Sequence, residues 1–491
     1  MTSIAVERSR GRLRAAASRA LAPSHVVYST AAAWGVVFAC LAALRHSAFQ
    51  STRYDLGNMV QAVWSTAHGH FLEVTTTNGA QISRLGGHFD PILVLFAPLW
   101  RIWPSPLLLV IVQALVLAAG ALPVFWLARK HVGQPTVAAW LAVAYLLYAP
   151  IQLLSAEDFH PVALGVPLLL FALWYLDEDQ LGAFAVFAVL ASLTGEEFPA
   201  LVGWLGVWYA LRRRRVRTGS VIAVTGFAAS ALAFFVLIPS LSPGGTSLVA
   251  ARYARFGGSP AGIAGALVHR PLDVAATAFT GPHVIYLLLL LLPWAGLFLL
   301  EPVLAFGAAP MLLLNLLSEN RFQSSIGFHY TAPIVPFVIG ASVLGAGRLR
   351  PALVQHAVLT VLAFMTLCLI NSPFRLSGHW VGHLRGADRA AEVAAIERVP
   401  AGAPISVSNY LGAHLADRSR LLAFPVLADA RWVVVDTHDG FVADKYAPRR
   451  FRADIARLRR DPHWKLVFER DGVLVLRRLR PGGPYRLRAP N

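Results

Sequence analysis

The sequence predicts a polytopic α-helical membrane protein of about eleven spans with a small C-terminal extracytoplasmic α/β domain. Three observations predict it. Of 491 residues, 56% are hydrophobic and only 14% charged, against about a quarter charged in an ordinary soluble chain. The apolar residues fall in runs that approach the roughly 20 residues a bilayer core requires. Most of the Lys and Arg residues outside the C-terminal part stand at the ends of those runs. A formal charge of +17 would favour nucleic acid in a soluble chain, but basic residues beside spans are a topology signal, so no nucleic-acid partner is expected. Cys40 and Cys368 sit in apolar runs near opposite ends of the chain, which excludes a disulfide framework or a zinc-ligand cluster.

The apolar runs are Val26 to Leu44, Pro106 to Ala128, Val137 to Leu154, Pro161 to Leu176, Val221 to Ile238, Val284 to Leu300, Pro302 to Leu317, Thr331 to Leu344 and Ala352 to Ile370. Basic clusters lie at Arg8 to Arg19, Arg129 with Lys130, Arg212 to Arg215, and Arg348 with Arg350. All four are inside only if Leu181 to Leu211 crosses twice, as two short helices meeting at Gly195, Glu196 and Glu197. The N-terminus is then cytoplasmic and the C-terminal domain extracytoplasmic. Residues 1–25 read as a basic cytoplasmic tail leading into an uncleaved signal anchor, and Cys40, deep in the first span, as core packing. Asp177-Glu178-Asp179 reads as a solvated inner turn, and Glu301 as a cap or a partner for nearby arginines.

A first outer loop, 45–105, follows. In it Leu56, Met59, Val60, Val63, Trp64 and Ala67 repeat at i, i+3, i+4 and i+7, which predicts an amphipathic helix lying on the membrane surface. Asp55 stands where an N-cap belongs. Gly86-Gly87-His88-Phe89-Asp90-Pro91 opens a shorter apolar stretch ending near Trp103, too short to span and read as re-entrant or interfacial, with Asp90 as its cap. His88 by itself reads as a surface or capping histidine ahead of a catalyst. Further polar groups open on the same side: Glu157-Asp158-Phe159-His160, Glu196-Glu197, and Arg321 with His329 and Tyr330. Carboxylates gathered at one mouth of a bundle with few charges mark either a solvated rim or a site. Gly244-Gly245 and Gly257-Gly258, in the outer loop Ser240 to Pro282, lack the strand and helix context of a phosphate loop.

After residue 371 the chain becomes charged and punctuated by proline. Short strands are predicted at Ile405 to Val407, Trp432 to Val435, Trp464 to Phe468 and Val473 to Leu476, the last two as a hairpin about Asp471-Gly472. Helices are predicted at Asp388 to Glu397 and Asp444 to Arg460, giving an α/β domain over 372–480 and a disordered basic tail over 481–491. Ser408 or Asn409 reads as a helix N-cap or as a substrate contact.

The segments Tyr54-Asp55-Leu-Gly-Asn-Met-Val-Gln61-Ala-Val-Trp64-Ser-Thr-Ala-His68-Gly, Gly87-His88-Phe89-Asp90-Pro91, Glu157-Asp158-Phe159-His160-Pro161 and His329-Tyr330 together resemble the DUF2079 family of predicted bacterial membrane proteins, which is similar in layout to the GT-C glycosyltransferases. The resemblance implies a GT-C-like transmembrane domain over 26–371 in the cytoplasmic membrane. It also implies an acidic residue in the first outer loop, matched by Asp55, and a polyprenyl-phosphate-linked sugar as donor. The acidic pair of many GT-C enzymes is not matched, because Leu56 follows Asp55. On this reading Asp55, His88, Asp90, Glu157 and His160 are the catalytic candidates, with Asp55 the general base. Arg84, Asp158, Glu196, Glu197, Arg321, His329 and Tyr330 are the substrate-binding candidates, arginine and imidazolium answering the leaving phosphate. No metal ligand is assigned, a divalent metal is left open, and no other cofactor is expected. The expected partners are the lipid-linked donor and membrane lipid, and the oligomeric state stays open. A transporter or flippase of a lipid-linked or small polar substrate is the competing class, since it too would use a polar opening in a bundle, although pathway charges should line the interior. A non-catalytic envelope assembly protein is a third.

Overall fold

The computed structural model describes residues 22–242, 250–368, 386–438, 448–480 and 485. Among these, three helices are long and apolar enough to cross a membrane singly: Pro23–Ser47, Leu107–Val132 and Val216–Leu241. Two bent pairs bring the number to five, Pro135–Leu147 with Ala149–Ala156 at 45° and Pro271–Ala278 with Gly281–Trp294 at 69°. The expected count of about eleven is therefore not reached by full-length helices. Proline and glycine explain the difference. The run expected from Val284 to Leu300 is broken after Pro293, where Ala295 and Gly296 take left-handed backbone angles of 50° and 72°, and Pro302 to Leu317 is interrupted by a 3-10 turn at Phe306–Ala308.

Leu181 to Leu211 does form two short helices, Leu181–Ser192 and Phe198–Arg212, with Glu196 and Glu197 at the break. The second packs against Val216–Leu232 through glycines. A Cβ added at Gly203, Gly206, Gly219 or Gly226 would run into the facing backbone, so these positions let the two helices approach closely. The centre of the bundle is helix Val335–Ala346, in which every residue is buried. Cys40 does not pack in the core; it is exposed on Pro23–Ser47.

One end of the bundle is a belt of ion pairs. Asp177 is buried and takes Lys130 at 2.7 Å and His131 at 2.8 Å, so it is no solvated turn. Asp179 pairs with Arg213 at 3.3 Å. Glu301 does not cap the helix it precedes; it accepts from the Trp208 indole at 3.1 Å and pairs with Arg348 and, at 3.6 Å, with Arg212. Three basic clusters thus meet at one end through shared carboxylates. A single crossing by Leu181 to Leu211 would have put Arg212 to Arg215 at the other. Helix Pro161–Asp177 runs from His160 to this belt, which at 1.5 Å per residue separates the two ends by roughly 25 Å.

The segment expected to be a loop from Ser240 to Pro282 is largely helical where described, with Pro260–His269 and Pro271–Ala278. Gly257 and Gly258 have positive φ in the turn before them, and Gly244-Gly245 lies outside the described residues.

In the first loop, strands β1 (Glu73–Thr75) and β2 (Gln81–Ser83) form an antiparallel pair. The C-terminal domain is a five-stranded sheet of β3 (Ile405–Val407), β4 (Leu421–Ala423), β5 (Trp432–Asp436), β6 (Trp464–Arg470) and β7 (Val473–Arg478), in the order β4-β3-β5-β7-β6. β4, β3 and β5 are parallel, whereas β7 and β6 join antiparallel. The predicted hairpin is present, and Asp471 and Gly472 both have positive φ, as a two-residue turn of this hand requires. Helices Gly386–Glu397 and Pro448–Arg460 flank the sheet. Of the tail expected to be disordered, Tyr485 bridges to Ala428; the rest lies outside the described residues.

This domain roofs the first loop, which corrects the expected surface position of the amphipathic helix. In Asn58–Ala67, seven of ten residues are buried. Its polar side is covered because Gln61 donates to the carbonyls of Arg418 (3.1 Å) and Ser419 (3.0 Å). Arg53, 2% exposed, donates to the Leu421 carbonyl at 2.8 Å and that of Thr75 at 3.0 Å. Buried backbone acceptors on two separate elements are satisfied by one guanidinium, which fastens them together.

Candidate active site

The segment carrying Asp55 starts with Thr52, whose hydroxyl accepts from the Asp55 backbone N–H at 3.1 Å. Thr52, not Asp55, is the N-cap, and Asp55 lies inside the first turn, Arg53–Gly57. Its carboxylate is thereby released from capping. A second contact fixes this turn from the other domain: Asn409 Oδ1 accepts from the backbone N–H groups of Arg53 (3.0 Å) and Tyr54 (3.4 Å). Asn409, one of two residues that read in sequence as a helix N-cap or a substrate contact, satisfies donors at the start of another helix. Asn409→Ala should strand those donors and loosen the Asp55 turn, lowering stability by about 1–2 kcal/mol. A thermal unfolding midpoint unchanged from wild type would show that the contact holds nothing.

Around Asp55 the structure assembles a cluster from three separate segments. Asp55 Oδ1 lies 3.4 Å from His160 Nε2, and His160 Nδ1 lies 2.9 Å from the Asp158 carbonyl. Both ring nitrogens face acceptors, which only the doubly protonated ring can satisfy. Burial alone would lower the His160 pKa, but the charges of Glu157 and Asp55 outweigh it and raise it to about 9. Burial alone would raise Asp55; the His160 hydrogen bond and charge instead hold it well below the usual carboxylate range. Asp55 and His160 are therefore an ion pair at neutral pH. The Asp55 side chain remains 40% exposed and His160 only 7%, so the carboxylate is the reachable member.

His329 stacks on His160 with centroids 3.7 Å apart and Nδ1 3.2 Å from Glu157 Oε1. Burial, then the neighbouring His160 charge, lowers its pKa, so one ring of the stack is charged and the other neutral. Tyr330 adjoins His329 at 4.3 Å and lies under the Arg252 guanidinium, 5.5 Å from the ring centroid. Asp158 sits beneath, buried, accepting from the Thr52 N–H (2.7 Å) and hydroxyl (2.9 Å); it supports the turn.

Glu157, His160 and His329 each offer a ligand atom within 4.8 Å of the others, and Glu157 Oε2 is buried with no hydrogen-bond partner among the described residues. This donor set could hold a divalent cation. In the geometry present, His160 already directs both nitrogens at acceptors, so a cation would have to displace its Nε2 proton.

The remaining candidates form a second cluster. Arg84 binds Asp90 through Nε (2.9 Å) and Nη2 (2.6 Å), and its Nη1 takes Asn58 at 2.5 Å. Asp90 therefore does not cap the helix after Pro91, and Arg84 is buried with its guanidinium turned to Asp90 and Asn58. His88 Nδ1 is 3.3 Å from Glu196 Oε1, and Glu196 Oε2 accepts from the Phe89 N–H at 2.9 Å. Glu197 beside it is raised to about 8 by burial, then by Glu196 and Asp90. These contacts tie the first loop to the break at Gly195. The two clusters adjoin along one helical turn, since Asn58 follows Asp55 by three residues. Arg321 joins neither; it is exposed, with its guanidinium over Phe322. Sequence reasoning missed Thr52 and Arg252, and it named Asn409 without its contact to the Asp55 turn. Thr52 was detectable, as an N-cap residue type three positions before Asp55; Arg252 is far away in the chain and carried no local signal.

The family model described as predicted membrane protein (DUF2079) matches residues 45–475. A search of curated proteins returns no match. Among solved structures, ArnT from Cupriavidus metallidurans bound to undecaprenyl phosphate is similar with a TM-score of 0.52 at 13% identity, over 90% of this chain and 98% of that one. The same protein in its apo state gives 0.50 at 14% identity, over 91% and 98%. At this identity the likeness is one of fold.

Proposed function

The chain belongs to the DUF2079 family of predicted membrane proteins, and from that membership, the shared fold and the ionised mouth we propose that it is a GT-C-type membrane glycosyltransferase, moving a sugar from a polyprenyl-phosphate donor to an acceptor hydroxyl at the outer face of the cytoplasmic membrane. One observation carries the reading: Asp55 is a part-exposed carboxylate, ionised at neutral pH and held from behind by a buried imidazolium. In the transfer the acceptor oxygen attacks the anomeric carbon, its proton passes to Asp55, and the bond from that carbon to the phosphate oxygen breaks with its electron pair leaving on the polyprenyl phosphate. His160 keeps its proton throughout and sets the carboxylate's position. Arg252 and the His160 charge are the cations available to the departing phosphate. The fold likeness to a protein that binds undecaprenyl phosphate supports a lipid-phosphate partner.

The test is transfer itself. Membranes containing the chain, supplied with polyprenyl-phosphate sugars labelled in the sugar, should release polyprenyl phosphate and build label into a larger product. Movement of intact labelled lipid between leaflets with no cleavage would favour the flippase and overturn the transferase.

A further inference from the structure

Two residues of the family-like first segment, Trp64 and His68, take no part in the reaction above. They lie one turn apart at the far end of helix Asn58–Ala67 and stack with centroids 4.4 Å apart. With Trp100, Arg101, Pro104 and Asp417 they line a cavity of about 330 Å³. Asp417 comes from the C-terminal domain and the others from the first loop, so the cavity exists only where the two meet.

The polar groups there are largely unspent. Arg101 gives Nε and Nη2 to the Ala67 carbonyl at 2.9 and 2.6 Å, which anchors the guanidinium and leaves Nη1 without a partner among the described residues. The Asp417 side chain is 56% exposed, and its nearest cation, Arg418, is 3.9 Å away. His68 Nδ1 lies 2.7 Å from the Trp64 carbonyl, so Nε2 remains available. An aromatic wall, one fixed guanidinium, one carboxylate and one imidazole are thus presented together.

That set selects among ligands. A phosphate would meet Asp417 at close range, and an acyl chain would bury Arg101 and Asp417 without replacing their water. A neutral polyol with one apolar face satisfies both: its C–H face lies on the indole, and neighbouring hydroxyls donate to the carboxylate and accept from the guanidinium. We propose that this cavity is a saccharide-binding subsite, which holds a pyranose ring of a glycan acceptor. Its role as an acceptor subsite rests on the transferase reading; its binding of saccharide does not. Trp64 lies nine residues beyond Asp55, about 13 Å along the helix. The ring it holds is therefore not the ring that reacts, and the acceptor is longer than one sugar. The C-terminal domain thereby acquires a task in recognition as well as in bracing the Asp55 turn.

The experiment uses the full chain in phosphatidylcholine nanodiscs, applied to an array of neutral and acidic bacterial-type oligosaccharides, with tryptophan fluorescence titration of each oligosaccharide that is retained. Saturable binding to neutral oligosaccharides is expected. Asp417→Asn, at an exposed position, should weaken it by about tenfold or more, the effect of one hydrogen bond to a charged group, and Trp64→Phe should weaken it while keeping the wall filled. No retention of any oligosaccharide, or binding unchanged in both subsite variants, overturns the proposal. Binding of glycerophosphoethanolamine in place of sugar, lost in Asp417→Asn, also overturns it in favour of a lipid headgroup. Sugar binding by a chain that transfers nothing would leave the subsite standing and remove the transferase reading; transfer without sugar binding would do the reverse.

Discussion

Asp55→Asn should abolish most sugar transfer, by about 100-fold to 10,000-fold, the usual contribution of a general base, while leaving the fold in place. The start of the helix does not depend on the carboxylate, because Thr52 caps it and Asn409 takes the next donors. An asparagine there keeps the shape of the side chain and the backbone N–H bond to the Thr52 hydroxyl. It cannot accept a proton as a carboxylate does. Release of polyprenyl phosphate in membranes carrying the variant, normalised to folded protein, measures the loss. Full turnover in a normally folded Asp55→Asn protein would reject Asp55 as the base.

Transfer should also collapse on the alkaline side as His160 loses its proton. With a folded-state pKa of about 9 against an ordinary 6.5, the ion pair contributes its full stabilisation below 6.5 and loses it as the pH rises through 9. The rate should be level through neutrality and fall about tenfold per pH unit well above 9, where the paired fraction falls by that factor. No acid limb from Asp55 is expected in the ordinary carboxylate range, because its pKa is held well below it. His160→Gln should lower the rate and erase the alkaline limb. The pH profile of transfer, read beside the ring resonances of His160, checks both. A limb centred near 6.5 would mean that the pair does not form.

Much of the architecture is local in origin and could be read from the chain by itself. Apolar runs bounded by arginine make membrane helices whatever their neighbours, since the bilayer imposes the length and the solvent imposes the placement of charge. The Asp471-Gly472 turn, the alternating strands beside it and the double helix of Leu181 to Leu211 follow from residue types at short spacing. The same locality set the errors. Asp55 kept a capping reading beside that of a base because the pattern begins after it, and a threonine three residues earlier does the capping. Helix Asn58–Ala67 was placed on the membrane because its apolar stripe is visible in sequence and its cover, more than 340 residues later, is not. Which of several mouth carboxylates stays reachable was likewise undecidable from the chain. Asp90 is bound by Arg84, Asp158 is buried under Thr52, and Asp55 keeps 40% of its side chain exposed with His160 behind it. Residue types and their local periods determined the helices, the turns and the set of candidates. Only the tertiary structure decided which carboxylate is charged and open, because that depends on which distant groups are brought within hydrogen-bonding distance.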